Sequence, residues 1–163
     1  MPMPEIVVIA HNIRSTHNIG SIFRTCEGFG VSKIIISGYS PYPRLPHDTR
    51  LPHLVDKLTA QIHKTALEAE TMVPFEYQEN PDINLLRSQG FIIVGLEQDK
   101  DSISLKEYRT SQKIALLLGE EVNGIPDNLR NQCDQLIEIP MFGKKESFNV
   151  SVAIGIALYT III

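Results

Sequence analysis

Five short apolar runs constrain this chain more than anything else in it: EIVVIA (5–10), KIIIS (33–37), FIIVGLE (91–97), KIALLLG (113–119) and QLIEIP (135–140). KIIIS shows no polar alternation, so neither of its faces can meet water, and the neighbouring runs read as buried strands of the same kind. Strands covered on both faces belong to parallel sheets flanked by helices. The intervening segments fit that frame. In HNIGSIFRTCEGFG (17–30), Ile19, Ile22, Phe23 and Cys26 fall at helical spacing. Asn18 suits the N-cap region, and Gly28 and Gly30 suit the helix end. Residues 38–52 hold four prolines in fifteen and read as a long loop. Residues 53–72 read as helix in up to two pieces, and 82–90 and 127–133 as short helices. The tail from Val150 alternates like a strand, yet Ala153, Gly155 and Ala157 after an Asn/Ser start favour a closely packed helix. A parallel sheet needs its last crossover covered, so a helix is expected. The fold class is therefore α/β, a mostly parallel sheet with helices on both faces. One domain over 1–163 is expected.

Several classes fall away. No apolar run reaches the 18 or so residues of a membrane span, and the N-terminus has no basic segment or cleavage site of a signal peptide, so a cytoplasmic protein is expected. Cys26 and Cys133 stand in no metal or redox spacing, the five histidines form no ligand motif, and no metal is expected. The net charge of −4 weighs against a non-specific nucleic-acid coat, though not against a local basic patch. GFG at 28–30 lies between helix and strand, the reverse of a dinucleotide fingerprint, and reads as a helix stop.

Three stretches could carry chemistry. LLLGEEVNGIP (116–126) ends a buried strand in glycines and acids, where open α/β sheets bind ligands; a plain turn with solvated acids is the alternative. NIGSIFR (18–24) puts Asn18 and Arg24 on adjacent helix faces. Arg24 beside a core stripe calls for a partner or a phosphate, unless it snorkels to the surface. ESFN (146–149) sets Ser147 and Asn149 just before the final helix, as caps, ligand contacts or both. All three cluster at the sheet's carboxyl edge, where a pre-organised pocket would assemble.

Together the three stretches resemble the three motifs of the SpoU class (TrmH-like) of RNA 2′-O-ribose methyltransferases in the SPOUT superfamily. Asn18, Gly20 and Arg24 stand at the first motif's positions. Gly119, Glu121 and Gly124 stand at the second's, and Pro140, Met141, Glu146, Ser147, Asn149 and Ser151 at the third's. Phe148 departs from the leucine most common there. The resemblance implies S-adenosylmethionine as cofactor, a deep C-terminal trefoil knot of the SPOUT type, and a homodimer. It implies an RNA partner, with tRNA favoured over rRNA, and no membrane. The implied catalytic set is Asn18, Arg24, Glu121, Ser147 and Asn149. Arg24 would clamp the phosphate beside the target ribose, Asn18 and Asn149 would orient the hydroxyl, Glu121 would hold Arg24 or nearby backbone, and Ser147 would cap the last helix. Cofactor contacts would come from Leu96, Gly119, Gly124, Ile139, Met141, Ser147 and Phe148, and RNA phosphate contacts from Arg14, Arg24, Arg44, Arg50, Lys144 and Lys145. The rival readings are a catalytically idle RNA-binding dimer of the same fold and a flavodoxin-like enzyme acting on a small phosphorylated metabolite.

Overall fold

The computed structural model describes residues 2–110 and 112–163. Seven strands form one sheet in the order β3-β2-β1-β6-β4-β7-β5. They are β1 (Ile6–His11), β2 (Lys33–Ser37), β3 (Phe75–Gln78), β4 (Ile92–Leu96), β5 (Ile103–Ser104), β6 (Ile114–Leu118) and β7 (Gln135–Glu138). Every neighbouring pair is parallel. Among the described residues the α-helices are α1 (Thr16–Gly28), α2 (Pro52–Ala66), α3 (Ile83–Ser88), α4 (Asp127–Arg130) and α5 (Val150–Ile162).

Alternate residues of each strand face two separate cores, as the two-residue pleat requires. Ile6, Val8 and Ala10 join Ile34, Ile36, Ile114 and Leu116 beneath α1, α2 and α5. Val7 and Ile9 join Ile35, Ile93 and Leu117 beneath α3 and α4. Both faces are therefore covered, which is why the central strands carry no polar alternation.

Sequence reasoning missed β3 and β5. Both are edge strands. FEYQ is only half-buried along its length, and β5 pairs two residues with β7, so neither shows a continuous apolar run. Sequence reasoning also misplaced the start of α1. Ser15 is its N-cap and accepts a hydrogen bond from the Asn18 N–H at 3.2 Å. The cap position thus leaves the Asn18 side chain free for other partners.

The expected break in 53–72 is present. α2 ends at Ala66 and is capped by Leu67 at φ 50°, and Glu68 follows at φ 78° before a short turn over Ala69–Thr71. A side-chain-bearing residue in this left-handed region costs about 1–2 kcal/mol. Glu68→Gly removes that cost against a smaller loss in chain entropy. A net gain of about 0.5–1 kcal/mol is expected, seen in calorimetry as a melting temperature raised by about 2 °C.

Candidate active site

The carboxyl ends of β4, β6 and β7 open on a cavity of about 250 Å³. Leu96, Gly119, Gly124, Ile139, Ser147 and Phe148, all expected at a cofactor, line it. Met141, also expected there, is half-buried outside the lining. The turn after β6 is shaped by its glycines. Glu120 and Gly124 exchange backbone hydrogen bonds of 3.1 and 2.8 Å. A Cβ on Gly119 would lie 2.5 Å from the Ile125 nitrogen, so only glycine lets the turn fold back on the strand. Gly124 has φ 69° and packs against Glu97, whose Oε2 accepts the Ile125 N–H at 2.6 Å. Burial raises the Glu97 carboxyl above its ordinary pKa, partly offset by that hydrogen bond and by Arg130.

Sequence reasoning overlooked most of the acids here. Glu97, Glu120 and Glu138 line the cavity together with Glu121 and Glu146. A signal was present, because the runs GLE, LGEE and IEIP each place a glutamate at or near a buried strand's carboxyl end. Apolar walls with carboxylates around them suit a ligand that is flat and apolar in one part and positively charged in another.

Beside this cavity the three motifs meet. Asn18 Nδ2 donates to Glu121 Oε1 at 2.7 Å, joining residues 103 positions apart. Asn149 Nδ2 donates to Asn18 Oδ1 at 3.4 Å, a longer bond across 131 positions. Asn149 Oδ1 in turn accepts from the Ser151 N–H at 2.9 Å and from its hydroxyl at 2.5 Å. The two ends of this chain fix its direction. A backbone N–H can only donate, so Asn149 must present its oxygen to Ser151 and its amide N–H to Asn18. Asn18 must then present its own N–H to the carboxylate. Each asparagine keeps one N–H unused by this series of hydrogen bonds.

Two expected roles change. Asn149, not Ser147, caps α5. Ser147 lines the cavity, where a cofactor contact was also expected of it. Glu121 holds Asn18, not Arg24. Arg24 is exposed on α1, in no ion pair among the described residues, and shares a shallow groove with Ser21, Lys64, Thr65 and Ser151. It therefore opens beside the motif-three end of the chain, and α1 carries it to the surface without burying its charge.

The other basic residues divide. Arg14 is exposed, and Lys144 and Lys145 are exposed on the loop that follows β7. Arg44 pairs with Asp56. Arg50 is an internal brace. It holds Asp48 through two bonds of 2.9 and 2.6 Å, donates to the carbonyls of Tyr42 and Pro43, and stacks 3.6 Å from the Tyr42 ring centre. Its donors are committed to the proline-rich loop.

A doubly covered parallel sheet with a glycine-turned ligand cavity at its strand ends, closed by a polar chain from both ends of the sequence, defines a class of α/β ligand-binding domain. Within that class, this chain belongs to the SpoU rRNA Methylase family, whose model matches residues 5–159. It is 31% identical over 160 residues to the 23S rRNA (guanosine-2′-O-)-methyltransferase RlmB of Coxiella burnetii, covering 97% of this chain and 58% of that protein. It is 31% identical over 157 residues to the tRNA (guanosine(18)-2′-O)-methyltransferase of Aquifex aeolicus, covering 95% and 67%. The crystal structure of the A. aeolicus TrmH/SpoU tRNA modifying enzyme superposes with a TM-score of 0.77 at 28% identity, covering 96% of this chain and 73% of that one. The AdoMet-bound rRNA methyltransferase from Sinorhizobium meliloti shares the fold, with a TM-score of 0.81 at 24% identity over 98% of this chain and 56% of that one. The chain spans 58% of the Coxiella protein and 9% of a longer mouse relative, the tRNA (guanosine(18)-2′-O)-methyltransferase TARBP1.

Proposed function

We propose that this chain transfers a methyl group from S-adenosylmethionine to a ribose 2′-hydroxyl of RNA. The observation that carries this reading is the hydrogen-bonded chain Glu121–Asn18–Asn149–Ser151 on the edge of the strand-end cavity. It assembles the residues that a ribose-methylating site of this family would use, from segments more than 100 positions apart.

The cavity fits the cofactor. Leu96, Ile139 and Phe148 offer apolar walls to an adenine, and the surrounding glutamates complement a cationic sulfonium and ammonium. When bound, the cofactor supplies an electrophilic methyl with a good leaving group, so the protein's task is alignment and proton removal. Alignment alone can supply about 7–11 kcal/mol. The unused N–H groups of Asn18 and Asn149 orient the ribose hydroxyl. Arg24 clamps the neighbouring phosphate. It is no base, since a guanidinium stays protonated. The hydroxyl proton leaves to that phosphate or to water. Arg14, Lys144 and Lys145 add phosphate contacts, whereas Arg50 and Arg44 brace the long loop.

Three finer features belong to the same reading. β6 lies between the earlier strands β1 and β4, and β7 lies between the earlier strands β4 and β5; this order supports a knotted C-terminal third. Val152 and Tyr159 of α5 are exposed beside an apolar groove that α1 shares, which supports a homodimer through that face. tRNA is the favoured substrate, because the Aquifex relative, the more fully covered of the two, is named for tRNA.

The test is incubation with labelled cofactor and separated tRNA and rRNA fractions, then mass analysis of the nucleosides. A 2′-O-methylated nucleoside is expected. Label in a base, or in no RNA at all, rejects the reading. Arg24→Lys keeps the charge and loses the two-pronged fork; kcat/KM is expected to fall about 10- to 100-fold, the loss of one charge-assisted hydrogen bond. Near-wild-type turnover would remove the clamp from the mechanism.

A further inference from the structure

A second groove, of about 660 Å³, lies at the carboxyl ends of β1, β2 and β3, next to the cavity already described. Three tyrosines and two arginines reach it. Most of these are fixed by the protein itself. Tyr42 stacks on Tyr77 with ring centres 4.2 Å apart, Arg50 covers the other side of Tyr42, and the Tyr77 hydroxyl donates to the Gly38 carbonyl at 2.6 Å. They form a rigid floor.

Tyr39 and Arg14 are different. Tyr39 is 48% exposed, and Arg14 is exposed beside it, its guanidinium 5.7 Å from the ring centre. The backbone beneath Tyr39 is nevertheless latched. Asn12 Oδ1 accepts the Tyr39 N–H at 3.0 Å. Ser40 Oγ accepts the Ile13 N–H at 2.7 Å and donates to the Ala10 carbonyl at 3.2 Å. An aromatic ring held half in water on a pinned loop adds little to the core and is pre-organised to receive something. Burial and the neighbouring Glu120, which lines the first cavity, raise the Tyr39 hydroxyl above its ordinary pKa, with Arg14 opposing them.

We propose that this groove is a second RNA subsite, in which the nucleotide next to the target ribose stacks its base on Tyr39 and sets its phosphate against Arg14. The inference rests on the methyltransfer reading for the identity of the target, but not for the chemistry of the groove. A half-exposed ring with a guanidinium over it, which forms no ion pair among the described residues, supplies both an aromatic surface and a cation for one unpaired nucleotide, and stacking tolerates any base. Such a contact would splay the strand at the target and bring its 2′-hydroxyl to Asn18, which follows Thr16 and His17 of the groove wall.

The test uses a short fluorescein-labelled single-stranded RNA, with binding read by anisotropy and cofactor binding by calorimetry. Tyr39→Ala is expected to weaken RNA binding on the order of tenfold, and Tyr39→Phe by less than about twofold, since the ring face remains. Arg14→Gln is expected to lower the slope of log K against log salt by about 0.7, one phosphate's worth on a single strand. Cofactor affinity is expected to hold in all three. The proposal is overturned if Tyr39→Ala binds RNA as wild type does. It is equally overturned if that variant loses cofactor affinity in step with RNA affinity, for Tyr39 would then act through Glu120. Wild type that binds the oligonucleotide through Tyr39 and Arg14 yet methylates no RNA would sustain the groove and reject the methyltransfer reading.

Discussion

Asn149→Asp is expected to fold as well as wild type and to turn over on the order of a hundredfold more slowly. The two effects separate because Asn149 does two things with two atoms. Its Oδ1 caps α5 by accepting the Ser151 N–H. Aspartate keeps that acceptor, is as good a cap, and adds a favourable charge at the helix N-terminus. Its amide N–H donates to Asn18. Aspartate has no such donor, so two oxygens face each other. Asn18 cannot escape by flipping its amide, because its oxygen would then face the Glu121 carboxylate. The pair must move apart, and a displacement of about 1 Å at a reacting centre can cost 10²-fold. Thermal melting and single-turnover kinetics check this together. Asn149→Ala should lose the rate and also about 1 kcal/mol from the cap. An aspartate variant that kept wild-type turnover would show that the link between the two asparagines is incidental to the reaction.

Gly20→Ala is expected to cost about 3 kcal/mol of stability, and to lower the melting temperature by about 6–12 °C. Glycine here is a matter of space, not of backbone angle. A Cβ would lie 2.0 Å from Thr65 Oγ1 and 2.3 Å from the Ile62 carbonyl oxygen. α1 and α2 thus meet almost backbone to backbone, fastened by the Thr65 hydroxyl donating to the His17 carbonyl at 2.8 Å. Adding Thr65→Ala clears the softer obstacle and leaves the Ile62 carbonyl in place, so it is expected to restore only part of the loss. Because Asn18 lies two residues before Gly20, any α1 that does form is displaced at the site as well. A Gly20→Ala protein melting within about 2 °C of wild type would mean that the helices part without cost.

The sheet was legible wherever a strand is covered on both sides, because burial then writes an unbroken apolar run. It was illegible at β3 and β5, where an edge position asks little of the side chains. Gly119 and Gly124 could be read as turn residues and Gly20 only by resemblance, and what each one admits depends on a segment folded against it from elsewhere. The same holds for the site. Asn18, Glu121 and Asn149 are recognisable by resemblance, yet their bonding order follows from a backbone N–H at Ser151. Arg50 reads as a free cation in sequence because Asp48 and two loop carbonyls become its partners only once the prolines have bent the chain back.

The partners of Asn18 come from the second and third motifs, 103 and 131 positions later. During synthesis Asn18 leaves the ribosome long before Asn149 exists. The nascent polypeptide can build β1 and β2 and pack α1 onto them while the site stays incomplete. The set of Asn18 hydrogen bonds is therefore completed only with the final helix, and a prematurely terminated product lacking it would leave Asn18 without its Asn149 partner.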